Sequence, residues 1–267
     1  MSTHRVSGRQ LAQRKDRLSG RDLAVLETIC SYRLISGVQI ARLHFEGHAT
    51  DDAGARVCRL VMKRLTDRGL VARLDRRVGG IRAGSSGFVY TISPVGHRLL
   101  GSPIRKRSTE PTFAFLQHML AIAELATRLH AHCDEEGIEL LDVEPEPAAW
   151  RAFTDGLIET TLKPDLALRT ADTEYELIWF IEIDCGTESR PTIQRKCQVY
   201  GAYCRSGIEQ RRHGVFPRTL WVAPDEDRAR QIRQAIESAD VQSSLFAVTT
   251  AEKPIDVLTN FDASGHA

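Results

Sequence analysis

Two short apolar stretches carry carboxylates that the interior of a strand does not tolerate unaided. Residues 162–168 read Leu-Lys-Pro-Asp-Leu-Ala-Leu, and residues 179–184 read Trp-Phe-Ile-Glu-Ile-Asp. Both have strand composition, and the turn-like segment 169–173 between them predicts a hairpin. Side chains alternate along a strand, so Phe180, Glu182 and Asp184 share one face and Ile181 and Ile183 the other. A desolvated carboxylate without a partner is costly. Asp165 and Glu182, one from each strand, therefore need a partner, and a divalent cation is one that both could share.

Charge is distributed as unevenly as the carboxylates. Residues 1–110 carry 21 Lys/Arg against 9 Asp/Glu, and the remainder carries 15 against 26, so a net charge of +1 conceals a basic half joined to an acidic one. Such a split suggests a nucleic-acid-binding module fused to a second function. The six cysteines are scattered without a Cys-x-x-Cys pair. That argues against a zinc finger or a disulfide scaffold and for a reducing cytoplasm. No apolar run has transmembrane length, so no membrane partner is expected.

The basic half reads as a basic arm over 1–18 and a winged helix-turn-helix over 19–101. Ser19 or Gly20 caps a helix with Leu23, Leu26 and Ile29 at helical spacing, and Ser36-Gly37 precedes a second, short helix. A third helix over 53–68 has Val57, Leu60, Val61 and Leu65 as its apolar stripe, with Gly69 placed to end it. Two strands, 70–75 and 88–92, flank a glycine-rich basic loop, and Ser93-Pro94 starts another helix. In a winged helix the third helix enters the major groove and the wing meets the flanking backbone. Arg56, Arg59, Lys63 and Arg64 on that helix and Arg76, Arg77 and Arg82 in the wing are the expected contacts to double-stranded DNA. A winged helix used for protein contacts is the competing reading.

After a linker at 102–111, the second domain is expected over 112–250, with a tail over 251–267. It opens with an amphipathic helix at 113–133 and a strand at 138–143. Residues 144–160 are too irregular to assign. The two acidic strands follow, then a helix over 191–205, a strand over 217–223, a helix over 225–238 and a strand over 245–249. The fold class is mixed α/β (α+β), with a restriction-endonuclease-like αβββαβ core behind the winged helix. Tyr200 and Tyr203 fit core packing on the 191–205 helix better than a nucleophilic role.

The order of elements, Pro164-Asp165 and Glu182-Ile183-Asp184 resemble the PD-(D/E)xK nuclease motif, with Asp184 where that motif has lysine. The resemblance implies Asp165 and Glu182 as ligands of Mg²⁺, a hard cation that keeps several waters and needs few protein donors. The missing positive charge could come from the following helix. At about 100° per residue from Ile193, Lys196 lies roughly 60° off the apolar face and Arg195 about 200° away. Asp165, Glu182, Lys196 and Asp184 are thus the candidate catalytic set. Asp184 is either a further ligand or a solvent-facing strand end.

The winged-helix half, Lys163-Pro164-Asp165-Leu166, and the run from Phe180 to Ser189 followed by Lys196 and Tyr200 resemble the replication-relaxation family of mobile elements, from about residue 18 to 238. The layout is also similar to the MobC class of relaxases. The resemblance implies plasmid or mobile-element replication or mobilisation by a Mg²⁺-dependent DNA-nicking enzyme; other plasmid-processing proteins and a second copy of the chain, as a homodimer, are candidate partners. The alternative is a catalytically inactive DNA-binding regulator whose nuclease-like domain serves assembly.

Overall fold

A computed structural model describes residues 7–47, 50–74, 88–103 and 111–261. The chain divides into two units, residues 1–123 and 124–267.

In the first unit, polar caps decide where helices begin. The order is α1 (Gly8–Lys15), α2 (Gly20–Tyr32), β1 (Ile35–Ser36), α3 (Gly37–His44), α4 (Asp51–Asp67), β2 (Val71–Leu74), β3 (Val89–Ile92), α5 (Pro94–Leu100) and the start of α6 (Phe113–Glu136). Ser19 and Ser36 close capping boxes on α2 and α3 with Asp22 and Gln39 as reciprocal partners. Gly69 sits at φ 69°, and the bonds Gly69 N–H to Thr66 O and Leu70 N–H to Leu65 O end α4 in a Schellman motif. The strands form an antiparallel sheet in the order β1-β3-β2. Gly96 lets α5 pack against β2, since a Cβ there would lie 2.3 Å from the Leu70 carbonyl oxygen.

Three readings are corrected in this unit. Within the stretch read as a flexible basic arm, Gly8–Lys15 forms a helix, and Arg14 and Arg68 donate hydrogen bonds to the carbonyls of Arg68 and Arg17. The buried stripe of α4 is Cys58, Val61, Met62 and Leu65, whereas Leu60 is 62% exposed. The unit also reaches past the 102–111 stretch into α6, where Leu120 O accepts from Gln39 Nε2 of α3.

The second unit contains the rest of α6, then β4 (Glu139–Pro145), β5 (Arg151–Asp155), β6 (Ile158–Leu162), β7 (Leu166–Ala171), β8 (Glu176–Ile183), α7 (Arg190–Ser206), α8 (Ile208–His213), β9 (Arg218–Ala223), α9 (Glu226–Glu237), β10 (Phe246–Thr250) and α10 (Pro254–Leu258). Five strands make one mixed sheet, β10-β9-β8-β7-β4, antiparallel from β4 to β8 and parallel from β8 to β10. This is the αβββαβ order expected, with β8 at its centre and the hairpin β5–β6 inserted between β4 and β7. Phe180, Tyr200, Tyr203, Trp221, Ile193 and Ile232 pack together where α7 and α9 cover the sheet. Tyr200 and Tyr203 are core residues, as their helical spacing suggests.

The acidic strands are offset from the sequence reading. β7 begins only after Asp165, and the turn falls at 172–175, where Asp172 Oδ1 accepts from the Glu174 and Tyr175 amides. Arg169, expected in the turn, lies on β7 and bridges Asp142 and Glu176 at 2.8 and 2.6 Å. The expected tail contains α10, whose Ile255 and Leu258 are buried.

Candidate active site

Strand register brings the first two carboxylates together. Leu166 pairs with Ile181, so Asp165, one residue before β7, stands opposite Glu182. The Asp165 amide donates to Ile181 O at 3.0 Å, and its own Oδ2 accepts from the Ile183 amide at 2.7 Å. Asp165 is therefore clamped to β8 through both backbone and side chain.

Glu182 is 1% exposed. It faces α7, where Lys196 Nζ donates to Oε2 and the Tyr200 hydroxyl to Oε1, each at 2.7 Å. Burial pushes the Glu182 carboxyl up to about 7; Lys196 opposes that rise and the negative charge of Asp165 adds to it. Burial works to lower the Lys196 pKa, but Glu182, Asp165 and Glu188 together outweigh it and hold the ammonium charged. Lys196 also donates to Glu188 Oε1 at 2.5 Å, while Glu188 Oε2 is buried with no hydrogen-bond partner. Burial, then Glu182, lifts Tyr200 well above the usual phenol range, so it is a neutral donor and not a nucleophile at physiological pH. Each Glu182 oxygen has a second lone pair beyond the bond it already accepts.

Asp184 is neither in solvent nor open. It is 3% exposed, with Oδ1 accepting from the Gly186 amide at 2.5 Å and Oδ2 from Arg228 Nε and Nη2 at 2.7 and 2.5 Å. Arg228 Nη2 also donates to the Glu188 carbonyl at 2.5 Å, which ties the loop after β8 to α9. Arg228 was not among the residues picked from sequence. Its signal was there: a cation in the first turn of α9 opposes the helix dipole and so calls for an acidic partner.

The donor set suits a small hard cation in part. Among the described residues no three His, Cys, Asp or Glu side chains converge into a metal cage. Asp165 and Glu182 are nonetheless two oxygen donors on adjacent strands whose mutual repulsion a dication would relieve, and the unpartnered Glu188 Oε2 lies in the same negative cluster. Two protein carboxylates suffice for Mg²⁺.

The family model described as Replication-relaxation matches residues 26–219, which span α2 to β9 and every residue of the cluster except Arg228. The chain belongs to the replication-relaxation family. No curated protein matches it in sequence. Two solved structures correspond loosely to this replication-relaxation protein, the restriction endonuclease FokI alone and FokI bound to DNA. Each is 11% identical, with TM-scores of 0.26 and 0.25, covering 95% and 94% of this chain and 72% and 71% of theirs. At that level the likeness says nothing about how this family member works.

The seven basic residues expected to meet DNA fall into three groups in this replication-relaxation chain. Arg56, Arg59 and Lys63 are exposed on α4, with Lys63 pairing Asp67 at 2.6 Å. Arg64 is drawn towards α2, where Asp22 accepts from it at 2.5 Å; that pair and the Ser19 amide hold the Asp22 carboxyl below its usual value against the effect of burial. Arg76, Arg77 and Arg82 lie outside the described residues. Arg73, not singled out in the sequence, stacks over Phe88 at 4.2 Å.

Proposed function

We propose that this protein processes DNA of a plasmid or other mobile element, and that its second unit nicks a DNA strand with Mg²⁺ held by Asp165 and Glu182. The observation that carries this reading is a buried carboxylate pair, one member lifted to about 7, with a lysine from the next helix fixed against it. When bound, the ion would polarise the scissile phosphodiester and acidify the attacking water. The protein's own groups have separable tasks. Tyr200 and Lys196 orient Glu182. Lys196, charged at neutral pH, supplies the cation that the lysine of the PD-(D/E)xK motif otherwise brings, and offsets charge on a phosphate oxygen. Asp184 and Arg228 neutralise each other and anchor the loop that carries Glu188, so Asp184 is a positioning residue.

The first unit supports the DNA-directed half of the reading. Its helices, the β2–β3 pair and the exposed cations of α4 suit a winged helix with α4 in the major groove. Among the described residues no helix is long and apolar enough to cross a membrane.

One observation favours a second reading, a DNA-binding regulator that does not cut. Every oxygen of Glu182 and Asp184 already accepts a hydrogen bond from within the protein. The two readings separate on supercoiled plasmid carrying the element's own origin. The enzyme reading predicts conversion to open circles with Mg²⁺, none with EDTA, and none with D165N or E182Q. Wild type that shifts this plasmid in a gel yet leaves it supercoiled supports the regulator.

A further inference from the structure

α4 carries an apolar side chain where its charge pattern calls for a polar one. Its buried stripe, Cys58, Val61, Met62 and Leu65, is complete without Leu60, which is 62% exposed. At about 100° per residue, Leu60 lies roughly 150° from the centre of that stripe. Arg56, Lys63 and Arg64 then fall within about 60° of it, as the neighbours three and four residues away that share a helix face. A single exposed leucine is unremarkable on a protein surface. What sets Leu60 apart is its place in the middle of the cationic face of the unit's longest complete helix.

The charges around it are specific. Arg56 and Arg59 are exposed. Among the described residues Lys63 pairs with the exposed Asp67, a link that costs little to exchange for a phosphate. Arg64 pairs instead with the buried Asp22. The outcome is an apolar knob framed by cations. A membrane-directed face would extend the apolar area beyond one residue. A protein partner would find one leucine among four cations. The major groove of duplex DNA offers both complements at once: phosphates along its edges and, on its floor, the C5 methyl of thymine, which apolar side chains contact.

We propose that Leu60 is a specificity-determining residue that packs against a thymine methyl in the major groove, with Arg56, Arg59 and Lys63 on the flanking phosphates. This rests on the DNA-binding reading above and adds to it a base preference and the residue that enforces it.

The test selects duplexes bound by the full-length protein from a random pool, then replaces each thymine of the selected site in turn by deoxyuridine. Removal of one buried methyl weakens binding roughly four-fold. Wild type is expected to lose about that much at one position and L60A to lose nothing further there. L60A should retain the wild-type melting temperature and, because the phosphate contacts stay, the wild-type salt dependence of binding. Selected duplexes that bind wild type equally well with deoxyuridine at every position overturn the Leu60 assignment and leave DNA binding intact. So does an L60A protein as sensitive to the replacement as wild type. A wild-type dimer that L60E converts to monomer would show a second copy covering Leu60, and would also overturn it. Failure of the pool to enrich, with no duplex bound at low salt, overturns the DNA-binding reading itself.

Discussion

Charged groups are treated in opposite ways on α4 and at the centre of the larger sheet. On α4, Arg56, Arg59 and Lys63 stand in water and stabilise little, since exposed ion pairs contribute about 0–1 kcal/mol. Around β8, Glu182 and Asp184 are almost wholly buried, and each is held by a cation from a covering helix: Lys196 of α7 and Arg228 of α9. Exposed cations remain available to an outside partner. Buried carboxylates must be satisfied from within, and a buried cluster with more negative than positive groups is one that a further cation would stabilise. The same residue types thus mark a proposed binding face in one region and a candidate reaction centre in the other.

The comparison breaks most easily at Arg228. R228A leaves Asp184 buried and uncompensated, and a loss of about 3–5 kcal/mol in chemical denaturation is expected. The double variant D184N/R228A should recover part of it. A loss below about 1 kcal/mol for R228A would place Asp184 with the exposed charges. In the first unit the sensitive point is steric. G96A should cost about 1–3 kcal/mol, because its Cβ would meet the Leu70 carbonyl oxygen and Ile92.

Titration offers a third contrast. The folded-state value of Glu182 lies above its ordinary 4.5, so between pH 4.5 and about 7 the folded protein binds more protons than the unfolded chain. Stability from this group is therefore complete below pH 4.5 and is lost as pH rises towards 7, by about 3 kcal/mol. E182Q should flatten that part of a stability–pH curve; an unchanged slope would contradict the assignment. The smallest effect belongs to R59A, whose unfolding free energy should stay within about 0.5 kcal/mol of wild type while DNA binding weakens and its salt dependence becomes shallower.

Much of this contrast could be read from sequence where one period or one cap dominates. The alternation Phe180-Ile181-Glu182-Ile183-Asp184 placed both carboxylates on the face that α7 and α9 cover. The helical offset from Ile193 separated Lys196, which reaches Glu182, from Arg195, which is exposed. Gly69 marked the end of α4 because a Schellman motif needs a positive φ there. Other features had no local signal. The β5–β6 hairpin buries only Phe153 and Leu162 of its ten strand residues, so it shows no alternation strong enough to assign. Its reversal rests on Gly156 at φ 63°. On α4 the choice between Leu60 and Met62 for the core depended on a rotation of one turn's fraction that Val61 and Leu65 alone leave open. The state of Asp184 depended on Arg228, 44 residues further along the chain.

Asp165 and Glu182 are proposed above as a divalent-metal pair. Titrating Mn²⁺, as a calorimetrically visible substitute for Mg²⁺, into the full-length protein at neutral pH tests that pairing without knowledge of the DNA site. Saturable uptake is expected for wild type and R59A, with its loss in D165N and E182Q variants that keep the wild-type circular dichroism. Wild type that takes up no Mn²⁺ at millimolar concentration, or D165N that binds it as tightly as wild type, would contradict the claim.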